Sequence, residues 1–125
     1  MSNMTWRTLT IDTDGSLSSS PSKMHAATGD GIAWFVINNM TSDTVKVKVK
    51  DFQKKANGSP LAAVTFSKDR CTVDANGIPG MIVGQVTFEP NGPKGTTVLA
   101  KYTLEVKSAQ LNKDYDPDLE IEQPD

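Results

Sequence analysis

The chain has 125 residues, 37% hydrophobic and 22% charged, with a formal net charge of −2 and a sequence pI near 5.3. That suffices for one domain with a core, burying roughly two-thirds of its unfolded surface, and excludes a disordered tail and a membrane-spanning chain. The acidic balance argues against general nucleic-acid binding, which needs a net basic face.

The opening "MSNMTWRTLTIDTDG" lacks the apolar stretch of a signal peptide. The cytoplasm is therefore the default location, with export left open if a leader was removed. The longest apolar run, residues 32–37, is too short to span a bilayer. Asn-x-Ser/Thr matches begin at Asn3, Asn39 and Asn57, all at turn-like positions, and carry no glycosylation argument without an export signal.

Period-two patterns dominate in chain order, and no window holds a long helical period. Residues 5–11 predict a first strand, closed by the turn "DTDGS" and followed by a serine-rich loop, "SLSSSPSK". "TGDG" then enters "IAWFVINN", whose apolar residues fall on both parities. That pattern predicts a central strand covered on both faces, with Trp34 and Phe35 as core. Trp6 conflicts in parity with Leu9 and Ile11; it is an exposed aromatic contact or the mark of a β-bulge.

After the turn "NNMTSD" comes "SDTVKVKVKDF". Its alternation turns Val45, Val47 and Val49 inward and Lys46, Lys48 and Lys50 outward. Residues 53–80, rich in turn chemistry such as "QKKANGSP" and "DANGIPG", read as a long excursion holding one short strand or a helical turn. "MIVGQVTF" is a strand and "EPNGPKG" a turn. "TTVLAKYTLEV" is a long strand with Val98, Ala100, Tyr102, Leu104 and Val106 on one face. "DLEIE" closes the chain as a short strand. Some seven strands divided by Gly, Pro, Asn and Asp turns predict an all-β, two-sheet Greek-key sandwich in a single domain over residues 1–125.

The motifs "TGDGIAWFVINN", "DTVKVKVKDF", "GTTVLAKYTLEV" and "DYDPDLEIE" resemble those of the cupredoxin-like family, in particular its small copper-free bacterial members. An immunoglobulin-like sandwich is the other form of the same class. The resemblance implies a copper site of two His, one Cys and a weak axial Met. The first His would fall near Thr44 and the thiolate near Leu104, yet residues 107–116 hold no Cys, His or Met. The resemblance thus implies the fold without a type 1 copper site, and no cofactor is expected.

Other chemistry is sparse. Cys71, the single cysteine, stands near Lys68 and Arg70, which would lower a thiol pKa, but no base accompanies it in sequence. His25 is the single histidine. No "GxSxG" elbow occurs. Asp114, Asp116 and Asp118 match the first spacings of a calcium loop, but Leu119 stands where that loop needs Gly. With Glu120 and Glu122, Asp118 reads instead as the wet face of a strand. The preferred function is a non-enzymatic binding module whose partner is another protein, with no catalytic or metal residue. Lys46, Lys48, Lys50 and Trp6 are its candidate contacts. A metal or redox protein joining Cys71 and His25, and a small enzyme with a Cys or Ser nucleophile, are the alternatives.

Overall fold

The computed structural model describes residues 3–18, 23–109 and 111–125; the serine-rich loop expected after the first turn lies partly outside them. It is a two-sheet β-sandwich with no helix among the described residues. The described residues form ten strands. One sheet runs β1 (Met4–Ile11), β3 (Gly31–Asn38), β7 (Gly80–Val86), β5 (Val64–Lys68). The other runs β2 (Met24–Ala27), β10 (Asp118–Glu122), β8 (Thr97–Lys107), β4 (Val45–Lys54), β6 (Arg70–Val73), with β9 (Asn112–Tyr115) also paired to β8.

The predicted class holds, with more strands than the seven or so expected. The extra ones are short: β2 falls in the predicted loop, β9 in the predicted connection, and the excursion holds two strands, β5 and β6, where one short strand or a helical turn is predicted. Only Asp69 separates β5 from β6, so the chain steps from one sheet to the other there and closes that side. The opposite side is joined by side chains of β1 bonding to backbone at β2. Thr5 Oγ1 donates to the His25 carbonyl (3.1 Å) and Arg7 Nη2 to that of Lys23 (2.6 Å).

The interior follows the alternation. Val45, Val47 and Val49 on β4 and Ala100, Tyr102, Leu104 and Val106 on β8 are all buried, facing Leu9, Ile11, Ile32, Trp34 and Val36 of the other sheet. The sheets are joined at the centre by Trp34 Nε1, which donates to Tyr102 Oη (3.0 Å), the rings meeting edge-on at 5.5 Å. The Tyr102 hydroxyl in turn donates to Met24 Sδ at 3.7 Å. Burial pushes its phenol pKa up to about 12.

Strict alternation would carry Phe52 outward. A bulge between Lys50 and Gln53, with Asp51 at a positive φ of 57°, shifts the register. Phe52 thereby packs on the core and stacks on Tyr102 at 5.0 Å.

The "TGDG" motif is a built turn. The buried Asp30 carboxylate accepts from the Ala27 N–H (2.9 Å) and the Asn3 N–H (3.1 Å), while Gly29 takes the φ of 94° that the turn requires. Asn38, also buried, fixes the turn after β3. It donates to the carbonyls of Asp43 (2.8 Å) and Val73 (3.0 Å) and accepts from the Met40 N–H (2.9 Å).

Candidate functional site

The outer face of the larger sheet carries the lysines. β4 lies between β8 and β6, so its outward residues have neighbours on both sides. Lys46 stands opposite Thr72 and Lys107, Lys48 opposite Arg70 and Glu105, and Lys50 opposite Thr103. Lys50 is committed: its ammonium lies 2.7 Å from Glu105. That contact raises the Lys50 pKa and holds the Glu105 carboxyl below its usual value. Lys107 reaches the same carboxylate at 3.5 Å. Arg70 pairs with its neighbour Asp69 at 3.0 Å. Opposite charges are thus interleaved, but not throughout, because Lys46 and Lys107 meet as like charges, as do Lys48 and Arg70.

The outer face of the smaller sheet is different in kind. β1 pairs with β3 in unbroken register from Met4 to Ile11, so no bulge excuses Trp6. Trp6 points outward and is 54% exposed. Register places it beside Ala33, and Ala33 beside Val83; in the next row Thr8, Phe35 and Met81 stand together. Met4 and Met81 are 51% and 44% exposed, and Phe35, Ile37 and Val83 are half-buried. These residues form one apolar surface. The expectation of a β3 covered on both faces is corrected in part: Trp34 is core and outward Ala33 is only 1% exposed, but Phe35 and Ile37 on the outer face are only half-buried. Of the double-parity apolar run at residues 32–37, only Phe35 and Ile37 are left half-buried.

Cys71 and His25 do not meet. Cys71 is on β6 and His25 on β2, the two opposite edges of the larger sheet, with three strands between them. At about 4.8 Å per strand they are separated by on the order of 19 Å. Cys71 is buried against Gly80, and burial raises its thiol pKa despite the charge of Lys68. A protonated, covered thiol is a poor nucleophile. The His25 imidazole lies 3.2 Å from Glu122 and 3.7 Å from Glu120. Ser16 and Ser18 donate their hydroxyls to Asp14 (2.6 Å) and Asp12 (2.8 Å), within the turn after β1. Among the described residues no three His, Cys, Asp or Glu side chains converge as a metal site. Asp118 of the acidic end pairs with Lys55 at 2.6 Å.

No family model matches the chain, and no curated protein matches its sequence. Solved structures do resemble its fold. The periplasmic chaperone SfaE superposes with a TM-score of 0.63 at 11% identity, over 82% of this chain and 54% of that one. A chain of the CsuC–CsuE chaperone–tip adhesion subunit pre-assembly complex, from the archaic chaperone-usher Csu pili of Acinetobacter baumannii, gives 0.61 at 14%, over 82% and 49%. The E. coli chaperone DraB gives 0.55 at 12%, over 97% and 58%. This chain thus spans about half the length of each. At such identities the likeness is one of fold, and the fold is immunoglobulin-like. The cupredoxin-like resemblance is thereby overturned. Its motifs are a turn into a Trp strand, a valine strand beside a Tyr strand, and an acidic closing strand. All are present, but they describe how two sheets share a core rather than which sandwich family does so.

Proposed function

We propose that the chain is a non-enzymatic, protein-binding module of immunoglobulin-like architecture, which docks a protein through the apolar outer face of β1, β3 and β7. The observation that carries this reading is the contiguous exposure of Met4, Trp6 and Met81 over Phe35, Ile37 and Val83. Isolated surface hydrophobics are ordinary, whereas a patch holding a half-exposed Trp is typical of an interface centre. Support for a protein as partner comes from the fold neighbours, one of them determined as a chaperone with a tip adhesion subunit. The cytoplasmic default has no support among these neighbours, of which SfaE is periplasmic; export fits this reading better. No helix of the described residues is long and apolar enough to cross a membrane.

The test is affinity capture from lysate of the source cells with the wild-type chain and with a Trp6→Ser/Met81→Lys variant. Both side chains are largely solvated in the free chain, so the variant should melt within a few degrees of wild type. It should lose the captured protein by about tenfold or more, as loss of an aromatic anchor does. Equal capture by a folded variant would remove the apolar face from the reading.

A further inference from the structure

We propose a second recognition surface, on the outer face of β6, β4 and β8, which takes an acidic segment of a partner protein. The placement of cations there is unfavourable in the free chain. Lys46 stands directly opposite Lys107, and Lys48 opposite Arg70; like charges so placed destabilise a sheet. The chain does not lack acids that could relieve them, having 15 acidic residues against 13 Lys and Arg. Those beside the cations are already engaged, and Asp114, opposite Glu105 on β9, acts on Lys50. Glu105 lies 2.7 Å from Lys50 and 3.5 Å from Lys107, and Asp69 lies 3.0 Å from Arg70. Among the described residues neither Lys46 nor Lys48 makes an ion pair, although Lys48 stands opposite Glu105 as well as Arg70.

Edge protection accounts for a cation on β6, a short outermost strand. It does not account for Lys46 and Lys48 on β4 or Lys107 on β8, because both of these strands are paired on each side. The face is also open to a ligand. A hollow of about 260 Å³ lies among Lys46, Lys48, Arg70 and Lys107. A second of about 320 Å³ shares Lys46 and Lys107 and continues past Thr44 and Ser108. Lys46 and Lys48 are two residues apart on one strand, so their side chains leave it about 6.8 Å apart. An extended partner segment with a carboxylate at every second residue repeats the same spacing. A nucleic acid fits less well, given the net charge of −2 and the carboxylates of Glu105 and Asp69 within the face.

The probe is a short fluorescent peptide alternating glutamate and serine, titrated with the full chain at low salt. Saturable binding should weaken by about tenfold on going to roughly physiological salt. Lys46→Gln/Lys48→Gln/Lys107→Gln should weaken it by about tenfold or more. Lys23→Gln/Lys55→Gln/Lys94→Gln removes the same charge elsewhere and should stay within about twofold of wild type. Trp6→Ser should bind the peptide unchanged, which separates this surface from the apolar face. Three results overturn the proposal. One is equal loss in the two triple variants. Another is tighter binding of an oligonucleotide of equal charge than of the peptide. The third is self-association in sedimentation that Lys46→Gln/Lys48→Gln/Lys107→Gln abolishes, which would make the occupant a second copy of this chain.

Discussion

On the outer face of β4 every second residue from Lys46 to Lys50 is a lysine, whereas the outward positions of β3 are Ala33, Phe35 and Ile37. The two strands present similar residues to the shared interior: Val45, Val47 and Val49 from one, Ile32, Trp34 and Val36 from the other. The inward half of each pattern therefore serves folding and cannot tell the sheets apart. The outward half does. Lysines keep a sheet face wet. An outward Phe beside a half-exposed Met gains nothing from water and is tolerated where something else covers it. The same alternation thus builds one face suited to charged contacts and one suited to apolar ones.

The sharpest way to break this comparison is to exchange inside for outside on β4. Val47→Asp would bury a carboxylate at a site 1% exposed, between the two sheets. We expect a loss of about 3–5 kcal/mol, or no folded protein at all. Lys48→Gln, one residue further on, should change stability by less than about 0.5 kcal/mol. Urea unfolding followed by Trp fluorescence distinguishes the two. Similar costs at both positions would mean that the strand does not have the inside and outside assigned to it.

That alternation was legible in the residues themselves, as were the Tyr102 face of β8 and the turn chemistry at residues 28–31. Other features are not local properties. Phe52 turns inward only because Asp51 adopts a left-handed backbone conformation, and an Asp carries no firm signal for a bulge. β2 and β9 have only four residues each, too short for a period to register, and both exist because β10 and β8 offer them an edge. For the candidate surfaces, sequence placed Trp6 and the three lysines but not their company. Arg70 and Lys107 join the lysines, and Met81 and Val83 join Phe35, through pairing between strands distant in sequence. The separation of Cys71 from His25 is likewise a matter of strand order, which spacing along the chain does not encode.

A middle-sized effect is expected where the two sheets meet. In Tyr102→Phe the Trp34 N–H loses its acceptor while it remains buried, at a cost of about 1–3 kcal/mol. The pH dependence gives a second readout. The folded-state pKa of Tyr102 is raised from 10.0 to about 12, because burial disfavours the phenolate. Its contribution is therefore complete below pH 10 and lost as pH rises through about 12. The stability advantage of wild type over Tyr102→Phe should shrink across that window. A gap that stays constant there would mean that the hydroxyl is solvated and that the sheets are joined by ring packing alone.

The smallest effect lies within the charged face, and it separates a lysine that is paired from one that is not. Lys50 holds Glu105 at 2.7 Å, whereas Lys46 faces Lys107 across the ladder. Replacing Lys50 with Gln should let the Glu105 carboxyl rise toward its ordinary value of 4.5, since the hydrogen bond from Lys50 is the main cause of its depression. A carboxylate with a lowered folded-state pKa stabilises the fold above its unfolded value, and that stabilisation disappears as pH falls through the lowered one. Lys50→Gln should therefore melt slightly below wild type at neutral pH and converge with it in acid. Lys46→Gln should melt no lower than wild type, because it removes a repulsion rather than a bond. Both differences should fade in high salt, as exposed charges do. Carboxyl-detected NMR titration alongside thermal melts would check each sign. If Lys46→Gln were the more destabilising of the two, Lys46 would have a carboxylate partner within the chain, and its charge would already be spent before any acidic segment arrived.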